Sequence, residues 1–199
     1  MIHPHTELRF VNEEIGFGVF ATKFIPKGTI TWALDDLDQI LEHSFVNTLD
    51  LERKVIVEKY SYRDSEGKYI LCWDLGRYVN HSFNANCIST PYDTDIAVRD
   101  IQPGEQLTND YGFLNLDESF TCLPEEGTDR TQVNKEDILH YYKEWDQLIL
   151  NAYQFFDQVE QPLDHLIPTI YKQKMKLAAE KREVIDSIKT LYYEGRNSK

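Results

Sequence analysis

The chain has 199 residues, with 34 Asp and Glu against 21 Lys and Arg, a formal net charge of -13. Such an acidic field disfavours nucleic acid and attracts basic partners, and no apolar run approaches the length that crosses a bilayer. Its three cysteines, Cys72, Cys87 and Cys122, lack C-x-x-C spacing, which argues against a disulfide framework or a structural zinc site.

A chain of this length suits one domain, or one domain with an appendage, and can bury a core unaided. The segment Met1-Ile2-His3-Pro4-His5 has no apolar signal-peptide region, so an intracellular protein is expected, cytoplasmic, or nuclear if eukaryotic. His3, His5, His43, His140 and His165 show no ligand spacing, and no metal is expected.

In chain order, the first two-thirds predict short strands at residues 8–12, 18–24, 29–34, 55–62, 68–72, 87–90, 96–99 and 106–108. Breakers such as Pro26-Lys27-Gly28, Asp64-Ser65-Glu66-Gly67 and Gln102-Pro103-Gly104 separate them. Residues 35–49 read as an inserted helix, with Leu37, Ile40, Leu41, Phe45 and Leu49 on one face. Residues 114–134 are polar and read as a long loop.

Beyond it, Asn134 can cap a helix, with Asp137 three residues on as an acidic partner. Its stripe is Ile138, Tyr141, Tyr142, Trp145, Leu148, Ile149, Ala152, Phe155 and Phe156, the i, i+3, i+4, i+7 pattern of a helix packed on one side. Pro162 and Pro168 separate it from a second stripe of Ile170, Leu177, Ala178, Val184, Ile185, Ile188, Leu191 and Tyr192. The basic run Lys172, Lys174, Lys176, Lys181 and Arg182 on that helix reads as a solvated face. The two helices predict an antiparallel hairpin packed on the β domain, or a dimer surface. The expected division is residues 1–115, a connecting loop at 116–133, and a helical region at 134–199.

Three blocks stand out: Gly16-Phe17-Gly18-Val19-Phe20-Ala21; Arg77-Tyr78-Val79-Asn80-His81-Ser82; and Gly104-Glu105-Gln106-Leu107-Thr108-Asn109-Asp110-Tyr111-Gly112-Phe113. Singly each has a plain reading: glycines at a hairpin bend, a polar turn, a half-buried aromatic. No helical pattern follows Gly18, which disfavours a phosphate-binding loop. In this order and within one domain's length, the three blocks resemble the SET domain of protein-lysine methyltransferases, over about residues 7–115.

That resemblance implies a mainly β fold with α additions, a SET-domain β-clip with a pseudoknot, followed here by a C-terminal helical hairpin. It implies transfer of a methyl group from S-adenosyl-L-methionine to a lysine of a basic protein or peptide, without direct nucleic-acid or membrane partners. Tyr111 is then the catalytic tyrosine. Gly16, Phe17, Gly18, Arg77, Asn80 and His81 are cofactor-binding, the glycines allowing close backbone approach. The pseudoknot would juxtapose Asn80-His81 with Asp110-Tyr111.

The sequence also departs from the family's pattern. Phe83 and Ala85 replace the usual cysteine and proline, Thr31-Trp32-Ala33-Leu34-Asp35 replaces a glutamate-rich segment, and Asn109 stands where many members carry Phe or Tyr. The family's cysteine-rich zinc tail is absent, so another element must cover the cofactor; the helix at 134–157 is the expected lid, through Tyr141, Tyr142 or Trp145. Two alternatives to an enzyme stay open: a SET-fold module that binds basic peptides with little turnover, and a structural or assembly protein that forms a stable oligomer through its helical tail, residues 134–195.

Overall fold

The computed structural model describes residues 1–180 and 184–194. In chain order its elements are β1 (Thr6–Asn12), β2 (Gly16–Ala21), β3 (Ile30–Ala33), β4 (Gln39–Leu41), α1 (His43–Val46), α2 (Leu51–Tyr60), β5 (Ser61–Arg63) and β6 (Tyr69–Leu71). There follow β7 (Asn80–His81), β8 (Cys87–Thr90), β9 (Thr94–Ala97), β10 (Thr108–Asn109), β11 (Phe120–Thr121), β12 (Gln132–Val133), α3 (Asp137–Tyr153) and α4 (Thr169–Ala179).

β1 and β2 form a hairpin whose turn is held by the Asn12 side chain, which accepts from the backbone N–H groups of Glu14 and Ile15. Behind it a five-stranded sheet runs β3-β9-β8-β10-β7. The first three strands are antiparallel, whereas β10 runs parallel to both β8 and β7. A third, antiparallel sheet runs β4-β6-β5, and β11 pairs with β12 in a short ribbon.

Alternation along the central strands sorts their side chains onto two faces. Ile30, Ile88 and Ile96 join one core cluster with Trp145, Ile149, Ala152 and Tyr153 of α3, while Cys87 and Ala97 join the other with Val19, Ile25, Ile101 and Leu107. β3 breaks this alternation. Its register against β9 shifts between Ile30 and Trp32, and such an irregularity turns a strand's following side chain to the other face. Trp32 therefore leaves the helix-covered face and lies with Cys87 and Ala97.

Most expected strands are present, with two corrections in the inserted region. Residues 55–62 are not a strand: α2 runs through Leu51–Tyr60, and only Ser61 and Tyr62 enter β5. The β-branched run Val55-Ile56-Val57 suggested extended chain, but Asp50 caps a helix by accepting from the Arg53 N–H at 2.9 Å. A Lys54–Glu58 pair one turn apart adds support. Residues 35–49, expected to be helical, hold β4 and the single turn α1. There Asp35 accepts from the Leu37 N–H and Asp38 from the Asp35 N–H, local side-chain bonds that compete with a helix's own.

In the C-terminal region α3 buries Ile138, Trp145, Ile149 and Ala152 of the expected stripe, while Leu148 is exposed; Phe155 and Phe156 fall beyond its end, the first exposed and the second buried. Asp137 reaches back to the backbone N–H of Asn134, although the helix proper begins only at Asp137. The second helix is shorter than the stripe suggested: α4 ends at Ala179, Val184 is exposed, and Ile188 to Leu191 form a separate 3-10 turn against α3. Lys181 and Arg182 lie outside the described residues. Among the described residues the fold is a set of mixed sheets with four helices, α3 packed against β8 and β9 and α4 packed on α3.

Candidate active site

The two blocks that sequence separates meet at β10. Thr108 pairs with Asn80 and Asn109 with His81 on one side, and Asn109 pairs with Cys87 on the other. The Ser82 N–H donates to the Asn109 carbonyl, continuing the same ladder. After β10 the chain turns tightly, because Asp110 accepts from the Gly112 N–H at 2.9 Å and sets a 3-10 turn over Tyr111–Phe113.

That turn holds Tyr111 by both ends. Its backbone N–H donates to His81 Nδ1 at 3.1 Å, and its hydroxyl donates to the Val79 carbonyl at 2.7 Å. Burial pushes the phenol up to about 12, so it is a neutral donor at neutral pH. Tyr111 and Asn80-His81 thus lie together, as the sequence implied.

His81 sits in an aromatic surround, its ring 4.4 Å from Phe83, 5.5 Å from Tyr111 and 6.0 Å from Phe120 between centroids. Burial lowers its pKa, against the opposing pull of Asp110. Because Nδ1 accepts a hydrogen bond, the neutral ring carries its proton on Nε2. That atom is buried and has no partner among the described residues.

The first block approaches from the hairpin. The Asn80 amide donates to the Phe17 carbonyl at 3.0 Å. A Cβ on Gly18 would stand 2.9 Å from both the Asn80 amide nitrogen and the Gln106 side-chain oxygen, so this glycine makes room for protein side chains. Gly16 has a positive φ of 83° and nothing within 4 Å of its absent Cβ. Phe17 is 48% exposed and meets Phe10 edge to face. Arg77 is exposed, its guanidinium over the Tyr78 ring.

On the other side of Tyr111 lies a cavity of about 150 Å3. Its walls include Trp32, Tyr60, Tyr62, Tyr111, Asp95 and Asn109. Asn80 and His81 are not among its lining residues, so the tyrosine stands between the Asn80-His81 strand and an aromatic pocket.

Of the three aromatics offered as a lid, Trp145 and Tyr142 face elsewhere, while Tyr141 lies against Arg130, which also covers Phe83. Trp145 is 6% exposed and packs edge to face on Phe113 inside the core, and Tyr142 carries the ammonium of Lys189 over its ring. The segment beside His81 is the connecting loop that carries Phe120. Glu125 fastens it by accepting from the Ser82 hydroxyl and from the Phe83 and Asn84 N–H groups. Arg130 pairs with Asp110 and, at 2.7 Å, with Asp137, its guanidinium lying over Phe83 and Tyr141. Nothing periodic marks Glu125 or Arg130 in the sequence; an aromatic residue in a polar loop was the one available signal, at Phe120.

Residues 16–112 match the SET domain family. Among curated proteins it is similar to a Drosophila melanogaster protein named histone-lysine N-methyltransferase trr, at 30% identity over 118 residues. That similarity covers 52% of this chain and 5% of the relative's length.

Proposed function

We propose that this protein is a methyltransferase that uses S-adenosyl-L-methionine to methylate a lysine side chain of a basic protein. The observation that carries the reading is the Tyr111 hydroxyl on the Val79 carbonyl, beside Asn80-His81 and at the wall of an aromatic pocket. The SET domain and the similarity to a histone-lysine methyltransferase support it.

The cofactor supplies a methyl group borne on a cationic sulfur. The residues on the Asn80 side suit it. The buried, unpartnered Nε2–H of His81 is a free donor, Gly16 leaves open space, and Phe17 offers an exposed ring. Gly16, Phe17, Gly18, Asn80 and His81 would hold it, with Arg77, which also borders the aromatic pocket, at the junction of the two sides and the threaded β10 strand of the proposed pseudoknot joining that face to Tyr111. The connecting loop, through Phe120, would cover it.

The chain's own groups then play separable parts. Two oxygens 2.7 Å apart, the Val79 carbonyl and the Tyr111 phenol, can accept weak C–H hydrogen bonds from an electron-poor methyl group and fix its direction. A phenol kept protonated by its burial neither competes as a nucleophile nor carries charge. The aromatic walls exclude water and hold the incoming nitrogen in line. Lysine must also shed its proton, which at pH 7 costs roughly 4–5 kcal/mol. The net charge of -13 favours basic substrates.

Methyl incorporation from labelled cofactor into a mixture of basic proteins, for the parent and Tyr111→Phe, tests the reading. Loss in the variant is expected. Equal incorporation would remove Tyr111 from the mechanism, and none in either, despite retained cofactor binding, would favour the binding-module alternative.

A further inference from the structure

The lining of the aromatic pocket includes a carboxylate that the proposed mechanism does not use. Asp95 lies on β9, cross-strand from Trp32 on β3 and from Ser89 on β8. It is 8% exposed and lines the cavity together with Tyr111. Its oxygens accept from the Ser89 hydroxyl at 2.6 Å and from the Asn109 amide at 2.8 Å, both neutral donors. No Lys or Arg among the described residues forms an ion pair with it. The other charged residues lining the pocket, Glu58, Lys59 and Arg77, are exposed and screened by water.

A buried carboxylate without a cation is costly, and neutral hydrogen bonds offset only part of that. Burial accordingly raises the Asp95 pKa. The Met1 ammonium acts on Asp95 through space only, being paired with Asp35 and Asp38 instead. A cation from outside would complete the site, and the four aromatic rings of Trp32, Tyr60, Tyr62 and Tyr111 suit an ammonium.

Building on the methyltransferase reading, we propose that Asp95, oriented by Ser89 and Asn109, is the counter-ion that admits the protonated substrate amine to the pocket and then takes its proton. The protonated form dominates in solution, and apolar walls alone would bar it. Once inside, an N–H bond breaks and an O–H bond forms on Asp95, turning the ion pair into a neutral amine and a carboxylic acid. A dry site favours the neutral pair. The same arrangement explains Asn109, which anchors the carboxylate from two residues before Tyr111.

The test uses the full chain and n-butylammonium chloride as a mimic of the lysine side chain, with 1-butanol and sodium chloride as controls. Butylammonium is expected to raise the parent's melting temperature beyond both controls and to leave Asp95→Asn unmoved. On a histone mixture, Asp95→Asn should lower kcat/KM by about a hundredfold while S-adenosylhomocysteine stabilises parent and variant alike. An equal response of parent and variant to butylammonium, or a variant kcat/KM within about threefold of the parent, overturns the proposal. Should the variant not fold, the parent decides: no preference for butylammonium over 1-butanol rejects the site. A parent that prefers the cation yet neither binds S-adenosylhomocysteine nor transfers methyl keeps the cation site and loses the enzymatic reading.

Discussion

The Tyr111 hydroxyl donates to the carbonyl of Val79, 32 positions earlier, at 2.7 Å. It spans the join between two blocks that only the β7–β10 pairing brings together. Removing the hydroxyl leaves the ring packing intact, so Tyr111→Phe should cost stability about 1 kcal/mol. Methyl transfer should fall about a hundredfold or more, the scale of a lost positioned donor. Single-turnover rates with labelled cofactor, set beside a thermal melt, check both halves.

The two glycines of the first block should respond differently. In Gly18→Ala the new methyl displaces the Asn80 and Gln106 side-chain ends, and with Asn80 goes its bond to the Phe17 carbonyl. Affinity for S-adenosylhomocysteine should drop about tenfold, or about 1.4 kcal/mol. Gly16→Ala meets open space but must hold a positive φ, which costs about 1–2 kcal/mol of stability. Isothermal titration of both variants separates the effects; unaltered binding by Gly18→Ala would show that the Asn80 orientation is dispensable.

Arg130 ties the connecting loop to Asp110 of the third block and Asp137 of α3. Arg130→Met leaves two buried carboxylates facing each other without a cation, and should destabilise the fold by about 3–5 kcal/mol. Adding Asp110→Asn and Asp137→Asn should recover a substantial part of that loss, because the charges left unpaired are then gone. Urea unfolding of the single and triple variants measures it.

Acid should weaken the protein through its histidines. Burial and the neighbouring His5 lower the His3 pKa from 6.5 to about 4. Between those values the unfolded chain binds a proton that the folded chain does not. Stability from this group is therefore full above about 6.5 and declines as the pH falls towards 4. The lowered pKa of His81 acts in the same sense. Urea midpoints at pH 7 and pH 4.5 should differ less in His3→Gln than in the parent.

The amino-acid order alone determined the three blocks, most of the short strands and the apolar stripe of α3, because these are local patterns of period two or 3.6 and of turn chemistry. It misled at residues 55–62, where β-branched side chains suggested a strand but a cap and an i, i+4 pair secured a helix. For a lid it offered Tyr141, Tyr142 or Trp145 on α3, and an aromatic stripe does not say whether its rings face a ligand or a core; packing against Phe113 settles Trp145 alone as a core residue. What only the tertiary structure decided are contacts between groups far apart in the chain: β10 set between β7 and β8, the Val79 carbonyl under the Tyr111 hydroxyl, Glu125 and Arg130 fastening a polar loop. Asp95 belongs with these. A lone aspartate in a strand gives no sign of its burial; the cross-strand register with Trp32 and Ser89 sets it in the lining of a cavity, and register is a property of paired strands, not of either one alone.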